Sequence, residues 1–184
     1  MPVIKSDKES IIRHSIHLFK IHGYYKTTMA NIGAECGLIK GSIYHHFPSK
    51  EALALACLQT IHQHFSENIF NTAYITNLSD KKKLQLFIEK TEHYFLNSEG
   101  GCLLANLALE AAADIPDFKT AIKAYFDEWH AALTAILSPK LGKTEAEQYA
   151  QELIAQIQGS IMLMNLYDDT TAFKRMNQKI QQLL

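Results

Sequence analysis

The segment from Met29 to Phe47 limits the possible folds of this chain more than any other part of the sequence. It holds two short apolar patterns of helical spacing separated by Gly37, with Gly33 inside the first pattern. A glycine inside a helix costs roughly 0.5–1 kcal/mol relative to alanine, so Gly33 indicates a close approach of two backbones. Gly37 supplies a left-handed turn, and the predicted seam contains Ile32, Cys36, Leu38 and Ile43. The segment predicts two short helices that cross at a steep angle.

Helical periodicity continues through almost the whole chain, and no alternating apolar run is long enough to predict a sheet. Only four prolines and eight glycines occur among the 184 residues, which favours long helices. We therefore predict an all-α protein, with an N-terminal three-helix domain over 1–48 joined to a larger helical domain over 49–184. The predicted helices of the second domain cover 50–70, 81–96, 102–113, 116–137, 145–166 and 171–183.

Several local signals define the predicted helix ends. Capping boxes are predicted at Ser6–Glu9 and at Thr144–Glu147, and Ser79-Asp80 is predicted to cap another helix. Gly100-Gly101 and Ser138-Pro139 are predicted to interrupt the helical pattern.

Charge is distributed unevenly along the chain. Residues 1–52 carry seven basic and four acidic side chains, a net charge of +3, whereas the whole chain has a net charge of -1. A basic N-terminal part on an acidic body suits a nucleic-acid-binding module carried by a second domain. We expect a cytoplasmic protein, because no secretory leader is visible, no stretch is long and apolar enough for a membrane span, and the three cysteines lack paired spacing.

The run from Ile12 to Leu53 resembles the DNA-binding domain of the tetracycline-repressor (TetR) family. The matching residues are Leu18-Phe19, Gly23-Tyr24, Thr27-Thr28, Ile32, Gly37-Leu38, the run from Lys40 to Phe47, and the run from Ser49 to Leu53. The resemblance implies a helix-turn-helix protein, a transcriptional repressor and not an enzyme. It also implies a homodimer on a near-palindromic operator in double-stranded DNA, released by a small-molecule effector, with no cofactor and no membrane partner.

The resemblance also implies which side chains contact DNA. Thr28 would cap the second helix and meet a phosphate, as helix N-termini do. The start of the third helix would lie nearest the base edges, and the other residues would contact phosphates and the groove wall. The predicted DNA-binding set is Thr27, Thr28, Lys40, Gly41, Ser42, Tyr44, His45 and Lys50. The sequence departs from the family at Ile39, where a serine is usual, and at His14-Ser15, where small apolar residues are usual.

The family resemblance also implies an effector pocket among the helices of the second domain. Aromatic residues would line it, and polar residues on otherwise apolar helices would orient the ligand. The predicted pocket set is Phe65, Tyr94, Cys102, Asn106, Glu110, Tyr125, Phe126, Trp129 and Met162. For each residue taken alone, a place in the core or on the surface is the alternative.

Cys102 permits two further hypotheses. It follows Gly100-Gly101 at a predicted helix start, where a helix dipole favours a thiolate, so a thiol-based redox or electrophile sensor is an alternative function. A thiol-dependent enzyme using Cys102 with His93 or His130 is another, although nothing in the sequence brings these residues together. Packing as a small apolar residue is the third possibility. His14 and His17 lack nearby carboxylates or thiols at ligand spacing, and His62 and His64, two residues apart on a helix, do not share a face, so no metal is expected.

The predicted helix over 145–166 has two apolar stripes, whereas a helix with one solvent face needs only one. We therefore predict that it packs against a partner subunit, together with the helix over 171–183. The predicted interface residues are Ala150, Ile154, Ile157, Ile161 and Met164. The second stripe contains Tyr149, Leu153, Ser160, Leu163 and Tyr167.

Overall fold

The computed structural model describes residues 8–183, and within this range it contains α-helices, one 3₁₀ helix and no strand. The α-helices are α1 (Lys8–His22), α2 (Met29–Glu35), α3 (Lys40–His46), α4 (Lys50–Asn68), α5 (Asp80–Leu96), α6 (Leu103–Glu110), α7 (Pro116–Leu141), α8 (Lys143–Tyr167) and α9 (Thr171–Gln181). The 3₁₀ helix, Phe70–Tyr74, follows α4. The prediction of an all-α protein is confirmed. None of the described helices combines the length and apolar character needed to cross a membrane.

The chain packs into two compact units. The first unit combines the described residues up to 61 with residues 103–122, and the second combines 62–102 with the described residues from 123 onward. Thus α4 and α7 each contribute residues to both units, while α6 belongs to the first.

The crossing of α2 and α3 depends on Gly33. A Cβ atom at this position would lie 2.8 Å from the carbonyl oxygen of Leu38, a backbone atom that cannot move aside easily. The amide of Leu38 in turn donates to the carbonyl of Gly33 at 2.7 Å. Gly37 makes the turn with φ of +66°, and Ile32 and Ile43 are fully buried in the seam. The predicted close approach is confirmed.

The core of the first unit follows the apolar stripe of α1. Ile11, Leu18 and Phe19 are buried on one side of this helix. Ser15, on the same side, is also buried, and its hydroxyl donates to the carbonyl of Ile11 at 2.7 Å. The unusual serine is therefore satisfied within the helix and leaves no uncompensated polar group in the core.

In the second unit, α9 packs against α5 and α8. The side of α8 that faces this core carries small and branched residues, with Ala150, Ile157 and Ile161 among those buried. Asn177 of α9 is fully buried and donates to the Glu92 carboxylate of α5 at 2.8 Å.

Two predicted helix ends are wrong. Helix α7 continues through Ser138-Pro139 to Leu141, because a proline in the last turn removes only one backbone hydrogen bond, and the Ser138 hydroxyl donates to the carbonyl of Thr134. Helix α8 begins at Lys143 after Gly142, without the predicted capping box at Thr144–Glu147. The cap at Ser79 is confirmed, since its hydroxyl accepts from the amide of Lys82. The box at Ser6–Glu9 begins outside the described residues.

Replacing Gly33 by alanine should destabilise the first unit, because the new Cβ would collide with the Leu38 carbonyl. Overpacking of this kind costs roughly 1–3 kcal/mol, which should appear as a lower urea midpoint for the full-length protein. Gly41→Ala is the matched control, since a Cβ there meets nothing within 4 Å. Equal stability of the two variants would contradict the close approach.

Candidate DNA-binding site and effector region

Helix α3 presents a polar face to solvent while its apolar face is buried. Lys40, Gly41, Tyr44 and His45 are exposed and Ser42 is half-buried. The ammonium group of Lys40 lies 5.7 Å from the centre of the Tyr44 ring, an arrangement that favours a cation–π contact. The inward residues of the helix-turn-helix, Ile43 and Phe47, belong to the core. His46, which was not in the predicted set, is also exposed.

Thr28 caps α2 as predicted. Its hydroxyl oxygen accepts from the amide of Asn31 at 3.1 Å, while the Asn31 side-chain oxygen accepts from the amide of Thr28 at 3.0 Å and from its hydroxyl at 2.6 Å. These reciprocal bonds form a capping box in which asparagine replaces the usual acidic residue or glutamine. Asn31 was missed in the sequence, although its place three residues after Thr28 was the available signal.

Helix α3 has no comparable cap. Ile39 occupies its N-cap position, makes no side-chain hydrogen bond to the helix, and is 77% exposed. An aliphatic N-cap leaves the first amides of α3 without a side-chain acceptor. The amide of Ser42 instead donates to the carbonyl of Ile39 at 2.9 Å.

Two residues of the predicted DNA-binding set support the loop between α1 and α2. The hydroxyl of buried Thr27 donates to the carbonyl of Gly23 at 2.7 Å and more weakly to that of Leu18. The ammonium group of Lys50 donates to the carbonyls of Tyr24 and Thr27, at 2.8 and 3.0 Å. Burial lowers the pKa of Lys50, and the nearby carboxylate of Glu110 acts in the opposite direction.

Glu110, at the end of α6, binds the same loop. Its carboxylate oxygens accept from the amides of Tyr24 and Tyr25 at 2.9 and 3.0 Å. The approach is so close that a Cβ on Gly23 would lie 2.9 Å from a carboxylate oxygen, and φ of +79° at this residue also favours glycine. We use the name α6–loop latch for the contacts of Glu110 with Tyr24 and Tyr25 and for the contact of Asp114 with Tyr25. Glu110 thus lies in the first unit and not among the aromatic residues of the predicted pocket.

Asp114 extends the latch. It accepts a hydrogen bond of 2.5 Å from the Tyr25 hydroxyl, and this bond raises the pKa of Tyr25 to about 12. Because the folded protein favours the protonated phenol, this contact stabilises the fold at pH values below the ordinary pKa of 10. Its contribution is lost as the pH rises from about 10 to 12.

The second unit contains an aromatic cluster, formed by Phe65, Phe70, Tyr94, Tyr125, Phe126 and Trp129. The ring centre of Phe65 lies 4.6 Å from Tyr94, 5.2 Å from Tyr125 and 6.0 Å from Trp129. Five residues of the predicted pocket set are therefore brought together here. Phe70, which the sequence analysis did not single out, packs 5.5 Å from Tyr125.

Two hydrogen-bond donors of this cluster are buried without a strong acceptor. They are the hydroxyl of Tyr125 and the Nε1 of Trp129, on side chains with no exposed surface. Burial raises the pKa of Tyr125 well above 10, and Cys102 and Tyr94 act in the same direction. The Tyr125 hydroxyl interacts with the thiol of Cys102, a weak acceptor, and this hydrogen bond also raises its pKa. The Nε1 of Trp129 has no acceptor among the described residues. An unsatisfied buried donor costs about 1–3 kcal/mol.

A groove in the second unit reaches the edge of the cluster. It has a volume of about 350 Å³ and is lined by His64, Asn68, Ile69, Leu86, Glu89, Lys90, His93 and Tyr94. Tyr94 belongs both to this lining and to the aromatic cluster. Beside the cluster, the Glu128 carboxylate accepts from Ser66 at 2.6 Å and lies 2.7 Å from His62, so both of its oxygens are engaged.

The remaining predicted pocket residues lie elsewhere. Asn106 is half-buried on α6, in the first unit, and Met162 is exposed on α8. Cys102 is buried in the second unit.

The histidines suggested as enzymatic partners of Cys102 have other partners: His130 is engaged with the Glu147 carbonyl and His93 with Asn97. Among residues 8–183, no group of three or more potential ligands is arranged to hold a metal ion.

The predicted dimer residues lie mostly on the inner side of α8. Ala150, Ile157, Ile161 and Met164 are buried within their own subunit, and Ile154 is half-buried. The large apolar residues that α8 exposes are Met162, Leu163, Leu166 and Tyr167, which we call the outer face of α8. Leu163 and Tyr167 belong to the second stripe of the sequence analysis.

Comparison with known proteins identifies both parts of the chain. Residues 11–57 match the family of bacterial regulatory proteins of the tetR type, and residues 81–179 match the C-terminal domain of LmrA/YxaF-like transcriptional regulators. The HTH-type transcriptional regulator YxaF of Bacillus subtilis is 30% identical over 168 residues, covering 89% of this chain and 87% of that protein. LmrA of the same organism is 25% identical and covers 96% of each chain.

Solved structures show the same fold. A TetR transcriptional regulator from Legionella pneumophila superimposes with a TM-score of 0.87 at 24% identity, over the whole of both chains. One from Chloroflexus aurantiacus gives 0.81 at 25% identity, covering 95% of this chain and 91% of that one. The chain belongs to the TetR family of DNA-binding transcriptional regulators, which are not enzymes.

Proposed function

We propose that this regulator is a cytoplasmic homodimeric repressor that leaves its operator when a small molecule binds the second unit. In this proposal, residues 1–48 form the DNA-binding domain, and residues 49–184 bind the effector and the partner subunit. The observation that carries the proposal is the exposed polar face of α3. In the same unit, Glu110 of α6, a helix outside residues 1–48, binds the loop before α2.

The DNA-binding surface would be centred on the first turn of α3. Lys40, Gly41 and Ser42 would meet base edges, and the absence of a side chain at Gly41 leaves room for close approach. Thr28, Tyr44 and His45 would contact phosphates and the groove wall. Thr27 and Lys50 would act mainly by holding the loop before α2, since their donors are already used inside the unit.

Dimerisation would use the outer face of α8. Leu166 and Tyr167 are 64% and 70% exposed, and with Met162 and Leu163 they form a continuous apolar surface on one side of the helix. A second copy of the chain would remove this surface from water, with α9 beside it. Two-fold symmetry would place the recognition helices roughly 34–36 Å apart, or somewhat more, on a near-palindromic operator.

The α6–loop latch provides a route from effector to DNA. Cys102 lies in the second unit and is followed directly by α6, whose last residue, Glu110, holds the loop of residues 23–25. A ligand that moves the chain at Cys102 would displace α6 and pull on this loop. If the ligand prefers the released state by 100-fold, the shift is about 2.7 kcal/mol, which lies within the usual range of allosteric coupling.

A thiol sensor at Cys102 is the alternative to a reversible effector. The structure offers it no specific support, because Cys102 is buried and an oxidant or electrophile would have to open the unit to reach it. A titration with mild oxidant during DNA binding separates the two functions. Release by oxidant that is lost in Cys102→Ser would favour the sensor.

Lys40→Ala should weaken binding to the operator by about 1–3 kcal/mol, because a base-edge contact would be lost. The operator is first selected from a randomised duplex pool, and affinity is then measured by fluorescence anisotropy at several salt concentrations. Lys119→Ala, an exposed lysine of α7, is the matched control and should bind as the unaltered protein does. Full affinity after combining Lys40→Ala with Tyr44→Ala would show that α3 is not the recognition helix.

Leu166→Lys should give a folded monomer, because it places a charge on the outer face of α8 without touching the subunit core. Ile157→Lys, at a fully buried position, should instead unfold the subunit. Sedimentation equilibrium gives the mass, and circular dichroism reports folding. Leu109→Lys is the control, since this leucine is 93% exposed on a different helix, α6. A Leu166→Lys protein that remains dimeric would argue against this interface.

Glu110→Gln should reduce both the free energy of unfolding and the operator affinity. The amide retains one acceptor but turns an N–H toward a backbone donor, which costs about 1–3 kcal/mol. Urea denaturation and anisotropy measure the two effects. Glu35→Gln, an exposed carboxylate in the same unit with only a 3.9 Å contact to His14, should change neither. If Glu110→Gln behaves like this control, the latch does not position the DNA-binding loop.

A further inference from the structure

We propose that Ile39 contacts the C5-methyl group of a thymine in each half-site of the operator, so that the regulator prefers an A·T pair at that position. This inference rests on the proposed function, because it adds a specificity-determining residue to α3 as the recognition helix. It starts from an aliphatic side chain that the fold leaves in water at the start of that helix, where Ile39 is 77% exposed.

Local stability does not explain an isoleucine at this position. Ile39 is the N-cap residue of α3, and its side chain accepts no hydrogen bond from the first turn, as a serine, threonine, asparagine or aspartate could. A spacing of four residues relates Ile39 to Ile43 and Phe47, which are both buried. The backbone of Ile39 is nevertheless extended, with φ of -73° and ψ of 152°, and the residue lies outside the core. It therefore acts neither as a cap nor as a core residue.

The position of Ile39 is suited to contact with bases. In a helix-turn-helix, the N-terminal residues of the recognition helix approach base edges in the major groove. The amide of Ser42 donates to the carbonyl of Ile39 at 2.9 Å, which joins Ile39 to the first turn of α3. Gly41, in the same turn, has no side chain, and a Cβ there would meet nothing within 4 Å. The start of α3 therefore has room for the base edges to approach Ile39.

The chemistry of the Ile39 side chain selects its partner. It has neither a donor nor an acceptor, so it cannot form hydrogen bonds with the base edges. The apolar group that bases present in the major groove is the C5-methyl group of thymine. A position against a phosphate would instead remove water from a charged group without supplying a hydrogen bond, which is unfavourable. Contact with the thymine methyl group removes apolar surface of both partners from water.

The test replaces thymines of the selected operator by uracil, one symmetric position at a time. Uracil keeps the O4 acceptor and the pairing with adenine and lacks only the methyl group. Fluorescence anisotropy with the full-length protein should find one position at which uracil weakens binding about fourfold in one half-site and about tenfold or more in both, as loss of a buried methyl group requires. In Ile39→Ser the effect at this position should fall below about 1.5-fold, whereas Ile39→Val should retain part of it.

The converse experiment adds a methyl group to the wrong base pair. Replacing the A·T pair at the sensitive position by a G·C pair should weaken binding. Changing the cytosine of that pair to 5-methylcytosine should restore part of the affinity for the unaltered protein and none for Ile39→Ser. Equal responses of the two proteins to 5-methylcytosine would overturn the proposal.

A matched control makes the same aliphatic-to-serine change elsewhere in the unit. Leu109→Ser, at a leucine that is 93% exposed on α6, should keep the full effect of uracil. Urea denaturation provides a second control, because Ile39→Ser should be at least as stable as the unaltered protein when serine is the preferred cap. A clear loss of stability in Ile39→Ser would mean that Ile39 packs within the subunit, and it would overturn the proposal.

The remaining outcomes separate this proposal from the proposed function. A uracil effect that persists undiminished in Ile39→Ser would assign the methyl contact to another residue and overturn the proposal. If uracil has no effect at any position while Lys40→Ala still weakens binding, α3 remains the recognition helix and the role of Ile39 is wrong. If Ile39→Ser and the combination of Lys40→Ala with Tyr44→Ala all leave affinity unchanged, the proposed DNA-binding surface fails as well. A lower mass of Ile39→Ser in sedimentation equilibrium, without a change in the uracil effect, would place Ile39 in a contact between subunits and overturn the proposal.

Discussion

The carboxylate of Glu110 holds the loop on which the position of the DNA-binding helices depends. Two side chains from other helices bind four backbone groups of this loop. Glu110 accepts from the amides of Tyr24 and Tyr25, and Lys50 donates to the carbonyls of Tyr24 and Thr27. Because α2 begins immediately after this loop, at Met29, its direction is set by both charges together. The close crossing at Gly33 then carries that direction into α3.

Local chemistry was sufficient to predict most of the fold. Thr28 as a cap, Gly33 at a close contact and Gly37 in a left-handed turn each act through residues nearby in the chain, so their spacing is visible in the sequence. The same reasoning failed at Pro139. A proline predicts a break because it lacks an amide, but in the last turn of a helix that amide matters little.

The site was less predictable because its contacts join distant residues. Glu110 and Tyr24 are 86 positions apart, and no periodicity relates a carboxylate at the end of one helix to amides in a remote loop. The two apolar stripes predicted on α8 do not correspond to an inner and an outer face, because Leu153 and Ser160 of the second stripe are buried together with Ile157 of the first. Which residues are covered depends on where α9 packs, and Leu166 and Tyr167 remain exposed.

Buried polar groups have partners in both units, with a clear exception in the second. In the first unit, buried or half-buried polar groups such as Ser15, Thr27 and Lys50 are satisfied by backbone partners, so they fix one conformation. In the second unit, Thr91 donates to the Phe87 carbonyl and Asn177 to the Glu92 carboxylate, whereas the Nε1 of Trp129 has no acceptor among the described residues. The satisfied contacts of the first unit include those on the loop before α2, so they fix where the DNA-binding helices begin.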